Sequence, residues 1–106
     1  MRVLVVEDNP ERQAAFREHY PGCVVAANYA QALVALDGAY DLVFLDHDID
    51  IEHNGADVAF HMVGLARELR PHLVVVHSSN RAGSLAIFQT LKRVGFNVEQ
   101  RPYPPW

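Results

Sequence analysis

Short apolar runs alternate with longer amphipathic segments along the whole chain. The runs have the length and the β-branched content of strands that are buried on both faces of a sheet. We predict strands at residues 3–6, 23–26, 41–45 and 73–76, and a weaker fifth strand at residues 97–100.

The segments between these runs carry apolar residues at helical spacing, and Pro, Gly or Asn residues stand at their ends. We expect helices from Pro10 to about Tyr20, from Asn28 to Gly38, from Asn54 to Pro71 and from Asn80 to Gly95. Their core-facing residues are predicted to be Ala30, Leu33, Val34 and Leu36 in the second helix, Val58, Met62, Leu65 and Leu69 in the third, and Leu85, Phe88 and Leu91 in the fourth.

Regular alternation of strands and helices is typical of α/β proteins built from βαβ units. Such units form a doubly wound parallel sheet, and one common five-stranded class has the strand order 2-1-3-4-5. This order brings the carboxyl ends of strands one, three and four side by side. We therefore predict a parallel five-stranded α/β sheet with a ligand site at that edge.

Composition limits the choice of function. The chain has 106 residues, enough for one domain with its own core, and its formal net charge of −4 argues against non-specific binding of nucleic acid. The single cysteine, Cys23, has no partner for an internal disulfide and is expected in the core. The apolar start is too short for a signal peptide or a membrane span, so we expect a cytoplasmic protein without a membrane partner.

Polar side chains follow three of the predicted strands. Glu7 and Asp8 follow the first strand, Asp46-His47-Asp48 the third, and His77-Ser78-Ser79-Asn80 the fourth. If the strand order is right, these groups converge at the carboxyl edge of the sheet. The alternative is that the acids after the third strand form only a solvated loop.

These residues resemble those of receiver domains of two-component signalling, which have a flavodoxin-like fold. Val-Leu-Val-Val-Glu-Asp-Asn at residues 3–9 resembles the acidic pair of that family, and Tyr-Asp-Leu-Val-Phe-Leu-Asp at residues 40–46 resembles the strand that ends in its phospho-accepting aspartate. The resemblance implies that Glu7, Asp8 and Asp46 hold Mg²⁺. It also implies that Asp46 accepts a phosphoryl group, assisted by Ser78 and by Arg101.

Three features depart from an ordinary receiver. Arg101 stands where the family has lysine, the segment 47–50 replaces an apolar segment followed by proline, and the chain ends after the fifth strand, so we expect no fifth helix. Residues 45–49, 54–59 and 77–80 instead resemble a receiver branch described as cyclic-phosphate-processing. That resemblance implies a role in RNA processing or repair.

The individual residues leave alternatives open. His47 and His77 are candidate general acid–base or metal-binding residues, or else a loop histidine and a buried structural one. Arg101 either binds phosphate or pairs with an acid. Side chains alternate along a strand, so the sequence does not decide whether His77 or Ser78 faces the site.

Two functions of different classes follow. The first is a phosphoesterase-like enzyme that uses Mg²⁺ or Mn²⁺, held by Glu7, Asp8, Asp46 and Asp48, and acts on a small molecule or RNA terminus bearing a cyclic or terminal phosphate. The second is a single-domain response regulator, phosphorylated on Asp46, with a histidine kinase or another protein as partner. Without a fifth helix, one face of the sheet is exposed unless the tail at residues 102–106 covers it, so we also expect either a homodimer or a tail that packs within the chain.

Overall fold

Five parallel strands form one sheet, with the strand order 2-1-3-4-5 that the sequence predicts. The computed structural model describes all residues from 1 to 106. The strands are β1 (Val3–Val6), β2 (Val24–Ala26), β3 (Leu42–Leu45), β4 (Leu73–Val76) and β5 (Val98–Gln100). The helices are α1 (Pro10–His19), α2 (Tyr29–Ala35), α3 (Gly55–Val63) and α4 (Arg81–Arg93), with a 3₁₀ turn at Arg67–Leu69. None of the helices has both the length and the apolar character needed to cross a membrane.

The sheet separates two hydrophobic clusters, because side chains alternate between the faces of each strand. Val6, Leu45 and Val76 lie on the larger cluster, which α2, α3 and α4 cover. Val5, Phe44 and Val75 lie on the smaller one, which also contains the Phe16 side chain of α1: the members of the smaller cluster are Val3, Val5, Phe16, Leu42, Phe44 and Val75. The central strands β1 and β3 are buried along their whole length, as the apolar runs predict.

The predicted third helix was too long. It ends at Val63 rather than near Pro71, and Gly64 caps it. Glycine is a poor helix former, and the Arg70 side chain donates hydrogen bonds to the carbonyl oxygens of Val63 and Val94, which stabilises the early end. The residues beyond it form the 3₁₀ turn.

The predicted inner faces of two helices were partly wrong. Val34 is 74% exposed and Leu85 is 46% exposed, so neither belongs to the core. Leu36 and Leu91 are buried as predicted, and the inner faces are completed by Ala32 in α2 and by Gly83, Ser84 and Ile87 in α4. Small residues on the inner side of both helices allow close approach to the neighbouring elements, and a hydrophobicity pattern gives such residues little weight.

The C-terminal tail covers the face of the sheet on which only α1 packs. The Trp106 ring meets Phe16 edge-on at 5.1 Å between centroids and stacks on His19 at 4.6 Å. Tyr103 lies 6.1 Å from Phe16, and Pro105 is buried. The prediction that the tail packs within the chain is therefore confirmed, while the homodimer stays a prediction.

The tail contacts lead to a test of stability. Truncation of Trp106 to alanine removes its contacts with Phe16 and His19, and because the ring is 41% exposed we expect a loss of about 1–2 kcal/mol in the free energy of unfolding. Val34→Ala, on the opposite face and largely exposed, is the control and should change stability by less than about 0.5 kcal/mol. Urea unfolding followed by circular dichroism measures both. Equal losses in the two variants would contradict a packed tail.

Candidate functional site

The candidate site is a row of residues at the carboxyl edge of the sheet. Val6, Leu45 and Val76 are register partners on three neighbouring strands, so the next residue in each chain segment falls at the same level. Those next residues are Glu7, Asp46 and His77. The backbone continues the pairing, since the N–H of Asp46 donates to Val6 and that of His77 donates to Leu45.

Glu7 and Asp46 are both buried, with 1% and 5% of their surfaces exposed. Burial would raise the pKa of Glu7, but the hydrogen bonds to its carboxylate from His77 and from the Asn9 backbone outweigh this and lower it. Burial and the neighbouring charge of Glu7 raise the pKa of Asp46 to about 7. The pair therefore carries its first negative charge on Glu7, and Asp46 holds a proton up to near neutral pH.

His77 lies next to Glu7 in the interior of the protein and has no exposed surface. Its Nε2 is 3.2 Å from Oε1 of Glu7, its Nδ1 has no hydrogen-bond partner, and its ring lies among the aromatic rings of Phe16, Phe44 and Tyr103. An unpaired buried N–H costs more than an unpaired lone pair, so we assign the proton to Nε2, which donates to Glu7. His77 thereby orients Glu7.

Glu7, Asp46 and His77 also form a group that could hold a metal ion, since one ligand atom from each lies within 4.8 Å of the others. Metal-bound histidines nearly always donate their second N–H to a partner, and Nδ1 of His77 has none. The chemistry of the site therefore favours the two carboxylates as ligands, with His77 behind Glu7. Asp8 is exposed beside them, and partial burial together with the Glu7 charge raises its pKa.

His47 is held by contacts on three sides. Its backbone N–H donates to Oδ1 of Asp46 at 2.8 Å, and its ring Nδ1 lies 2.7 Å from Oδ1 of Asp48. That short contact requires a proton on Nδ1 and leaves Nε2 as the basic nitrogen. The ring lies against Gly83 in the first turn of α4, where an added Cβ would come within 2.4 Å of it.

Glycines at positions 55 and 83 allow the loop after β3 to lie close to helices α3 and α4. Besides Gly83, Gly55 opens α3 so near the end of β3 that an added Cβ would lie 2.1 Å from the carbonyl oxygen of Asp46. The Gly55 N–H donates to the carbonyl of His47 at 2.6 Å. The sequence predicts a helix start at this point of the chain, but the close contacts made by Gly55 and Gly83 were not predicted. The available signal was a glycine within the first turn of a helix, where it costs helix stability and so needs another reason.

Ser78 and His77 both reach the site, from different directions, because β4 ends at Val76. The Ser78 hydroxyl lies near enough to Asp46 to stabilise its carboxylate, and it accepts a hydrogen bond from the Asn80 backbone. Asn80 caps α4 as expected, and its amide nitrogen lies 3.4 Å from Nδ1 of His47.

Arg101 lies beside Ser78 but does not approach Asp46 in the structure. Its guanidinium donates to the carbonyl oxygen of Pro105 and to the carboxylate of Glu99. The structure thus brings together Glu7, Asp46, His47, His77 and Ser78, with Asp8 and Asp48 at the margin. Arg101 stands outside this group, paired with an acid.

Comparisons with known proteins agree with this architecture. A family model described as cyclic-phosphate processing receiver domain matches residues 2–93. A solved structure described as a yeast Spc42 trimeric coiled coil, amino acids 181–211, fused to another structure is similar to the chain with a TM-score of 0.63 and 17% identity, over 93% of this chain and 67% of that one. At that identity it supports the fold alone. No curated protein matches at a significant level.

The repulsion at the site predicts an unusual pH dependence. The pKa of Asp46 is about 7 in the folded protein against an ordinary 3.8, so the folded state binds its proton more tightly and loses stability as pH rises from about 4 to 8. Without metal, Asp46→Asn should be more stable than wild type at pH 8, by about 1–3 kcal/mol, and similar at pH 4.

Thermal unfolding in EDTA across this pH range measures the effect. Asp37→Asn, which neutralises an exposed loop aspartate, is the control and should follow the wild-type profile. If the Asp46→Asn profile also runs parallel to wild type, the two carboxylates do not repel each other in the folded state.

Proposed function

This chain belongs to the family of cyclic-phosphate processing receiver domains, and from that premise we propose that it is a metal-dependent phosphoesterase that opens a 2′,3′-cyclic phosphate at an RNA terminus. The observation that carries the proposal is the arrangement of His47. A phosphoryl-accepting aspartate needs no imidazole beside it, whereas hydrolysis needs a group that moves a proton. His47 has one nitrogen bound to Asp48 and the other free for that task.

The metal in this proposal is Mg²⁺ or Mn²⁺, held by Glu7 and Asp46 with Asp8 and Asp48 nearby. Hard carboxylate oxygens suit both ions. Burial and the neighbouring charge of Glu7 raise the pKa of Asp46 to about 7, so ionising both carboxylates destabilises the folded protein. A bound divalent cation would compensate their charge and remove this destabilisation. When bound, the ion would neutralise charge on the phosphoryl oxygens and make water more acidic.

The reaction adds one water to the cyclic diester. The water oxygen forms a new bond to phosphorus, the bond from phosphorus to one ribose oxygen breaks, and that oxygen leaves as a hydroxyl after taking a proton. Nε2 of His47 accepts the proton from water or returns it to the leaving oxygen. The product is a phosphate monoester beside a free hydroxyl, so atoms and protons balance.

His77 has a positioning role in this proposal. The sequence analysis offers it as a second proton-transfer group, but its ring is fully buried among aromatic side chains and its Nε2 is directed to Glu7. We propose that it fixes the Glu7 carboxylate and supports a low pKa there. The low pKa of Glu7 keeps one ligand ionised even when Asp46 is protonated.

The alternative function is a switch phosphorylated on Asp46. The observation that favours it is the position of Asp46 at the end of β3, beside the Glu7 carboxylate and the Ser78 hydroxyl. In that case the protein signals to a partner and turns over no cyclic phosphate. The pairing of Arg101 with Glu99 weighs against this function, since a receiver uses a cation at that position toward the phosphoryl group.

Metal binding can be tested without any substrate. Mn²⁺ or Mg²⁺ should raise the melting temperature of the wild type and should not raise that of Asp46→Asn, because stabilisation depends on binding to the folded state. Asp8→Ala should reduce the shift, and Asp37→Asn should retain it. An Asp46→Asn variant that gains as much as the wild type would place the ion elsewhere.

Turnover separates the enzyme from the switch. With Mn²⁺, purified protein should convert a 2′,3′-cyclic phosphate nucleotide to a monoester, and His47→Ala should lower kcat by about 100-fold or more. His72→Ala removes an exposed histidine away from the site and is the control. His77→Ala should weaken the metal-dependent rise in melting temperature as well as turnover, as expected for a positioning residue.

A different set of results would favour the switch. If the protein with Mn²⁺ leaves every cyclic phosphate intact but binds beryllofluoride at Asp46, with the same affinity in wild type and His47→Ala, the switch is the function and the phosphoesterase proposal is wrong.

A further inference from the structure

A second polar groove lies beside the candidate site, between the end of β4, the first turn of α4 and the start of the tail. Its volume is about 480 Å³, and its polar lining comes from Ser78, Arg81, Ser84, Gln100 and Arg101. Ser78 belongs to both places, since its hydroxyl also lies near Asp46. The groove is therefore continuous with the site of the proposed reaction.

Ser84 is the most informative residue of this groove. It is only 6% exposed, and its Oγ has no hydrogen-bond partner. A serine inside a helix usually satisfies its hydroxyl by bonding to the carbonyl four residues earlier, and Ser84 does not. Rotation about its Cα–Cβ bond redirects the hydroxyl between staggered positions, so an acceptor in the groove can satisfy it.

The charged side chains that line the groove favour an anionic ligand. The Arg81 side chain makes no hydrogen bond or ion pair, although the chain has more acids than bases. Arg101 also lines the groove, but Glu99 compensates its charge, so the uncompensated positive charge of the groove comes from Arg81. The 13-residue helix α4 presents its N-terminus here with no acidic side chain in its first turn, and helix N-termini favour negative charge.

We infer that this groove binds the phosphodiester that precedes the reacting phosphate, so that the substrate is an RNA oligonucleotide ending in a cyclic phosphate rather than a mononucleotide. This inference rests on the proposed function for the reacting phosphate. A 2′,3′-cyclic phosphate requires a ribose 2′-oxygen, which identifies RNA. Arg81 and Ser84 hold the backbone phosphate, and Ser78 lies between the two phosphate positions.

The test compares two ligands and two arginines of the same helix. The ligands are a mononucleotide and a short RNA that ends in the same nucleotide, both as 3′-phosphates so that binding is measured without turnover. Arg81→Gln should weaken RNA binding about tenfold and leave mononucleotide binding unchanged. Arg93→Gln removes the same charge at the other end of α4 and should change neither. Ser84→Ala should weaken RNA binding by a smaller factor.

Salt dependence gives a second readout. The slope of log affinity against log salt should fall by about 0.7 in Arg81→Gln, the amount expected when one contact with a single-stranded backbone is lost. The Arg93→Gln slope should equal that of the wild type.

A failure of the groove inference can be distinguished from a failure of the proposed function. If the cyclic mononucleotide is hydrolysed but RNA binds no better than the mononucleotide, or if Arg81→Gln and Arg93→Gln behave alike, the groove inference is overturned and the proposed function stands. If RNA binding depends on Arg81 while no cyclic phosphate is hydrolysed, the groove is an RNA-phosphate site and the proposed function fails.

Discussion

The side-by-side burial of the Glu7 and Asp46 carboxylates is the constraint on which the site depends. They are neighbours because β1 and β3 pair in register and each acid is the first residue beyond its strand. Burial and, second, the charge of Glu7 raise the pKa of Asp46 to about 7, while the hydrogen bonds to Glu7 lower the pKa of Glu7. Strongly perturbed carboxylates of this kind are typical of functional sites, and a bound cation would have the charge to offset the repulsion.

Aromatic packing around His77 supports the hydrogen bond that stabilises the ionised form of Glu7. Trp106 packs on Phe16, Phe16 packs on the ring of His77, and Nε2 of His77 donates to Glu7. The aromatic packing leaves His77 little freedom to rotate, so the hydrogen bond to Glu7 is held in place. The tail thus influences the electrostatics of the candidate site through packing alone.

The strand order and the site residues at the carboxyl edge of the sheet could be predicted, because both follow from local sequence patterns. Apolar runs identify the strands, the alternation with helices gives their order, and the first polar residue after each run marks the site. The phases of α2 and α4 could not be predicted in the same way, since their inner faces use small residues such as Ala32 and Ser84. The pairing of Arg101 with Glu99 depends on side-chain geometry that no spacing rule describes.

The first turn of α4 contacts both the candidate site and the neighbouring groove. Gly83 faces the ring of His47, while Arg81 and Ser84 face the neighbouring groove. A side chain at position 83 would displace the His47 ring from Asp48, so the absence of a Cβ there allows the imidazole to lie against the helix N-terminus. Because one helix end positions both, the proposed phosphate in the groove and the proposed proton transfer by His47 would be held at a fixed distance from each other.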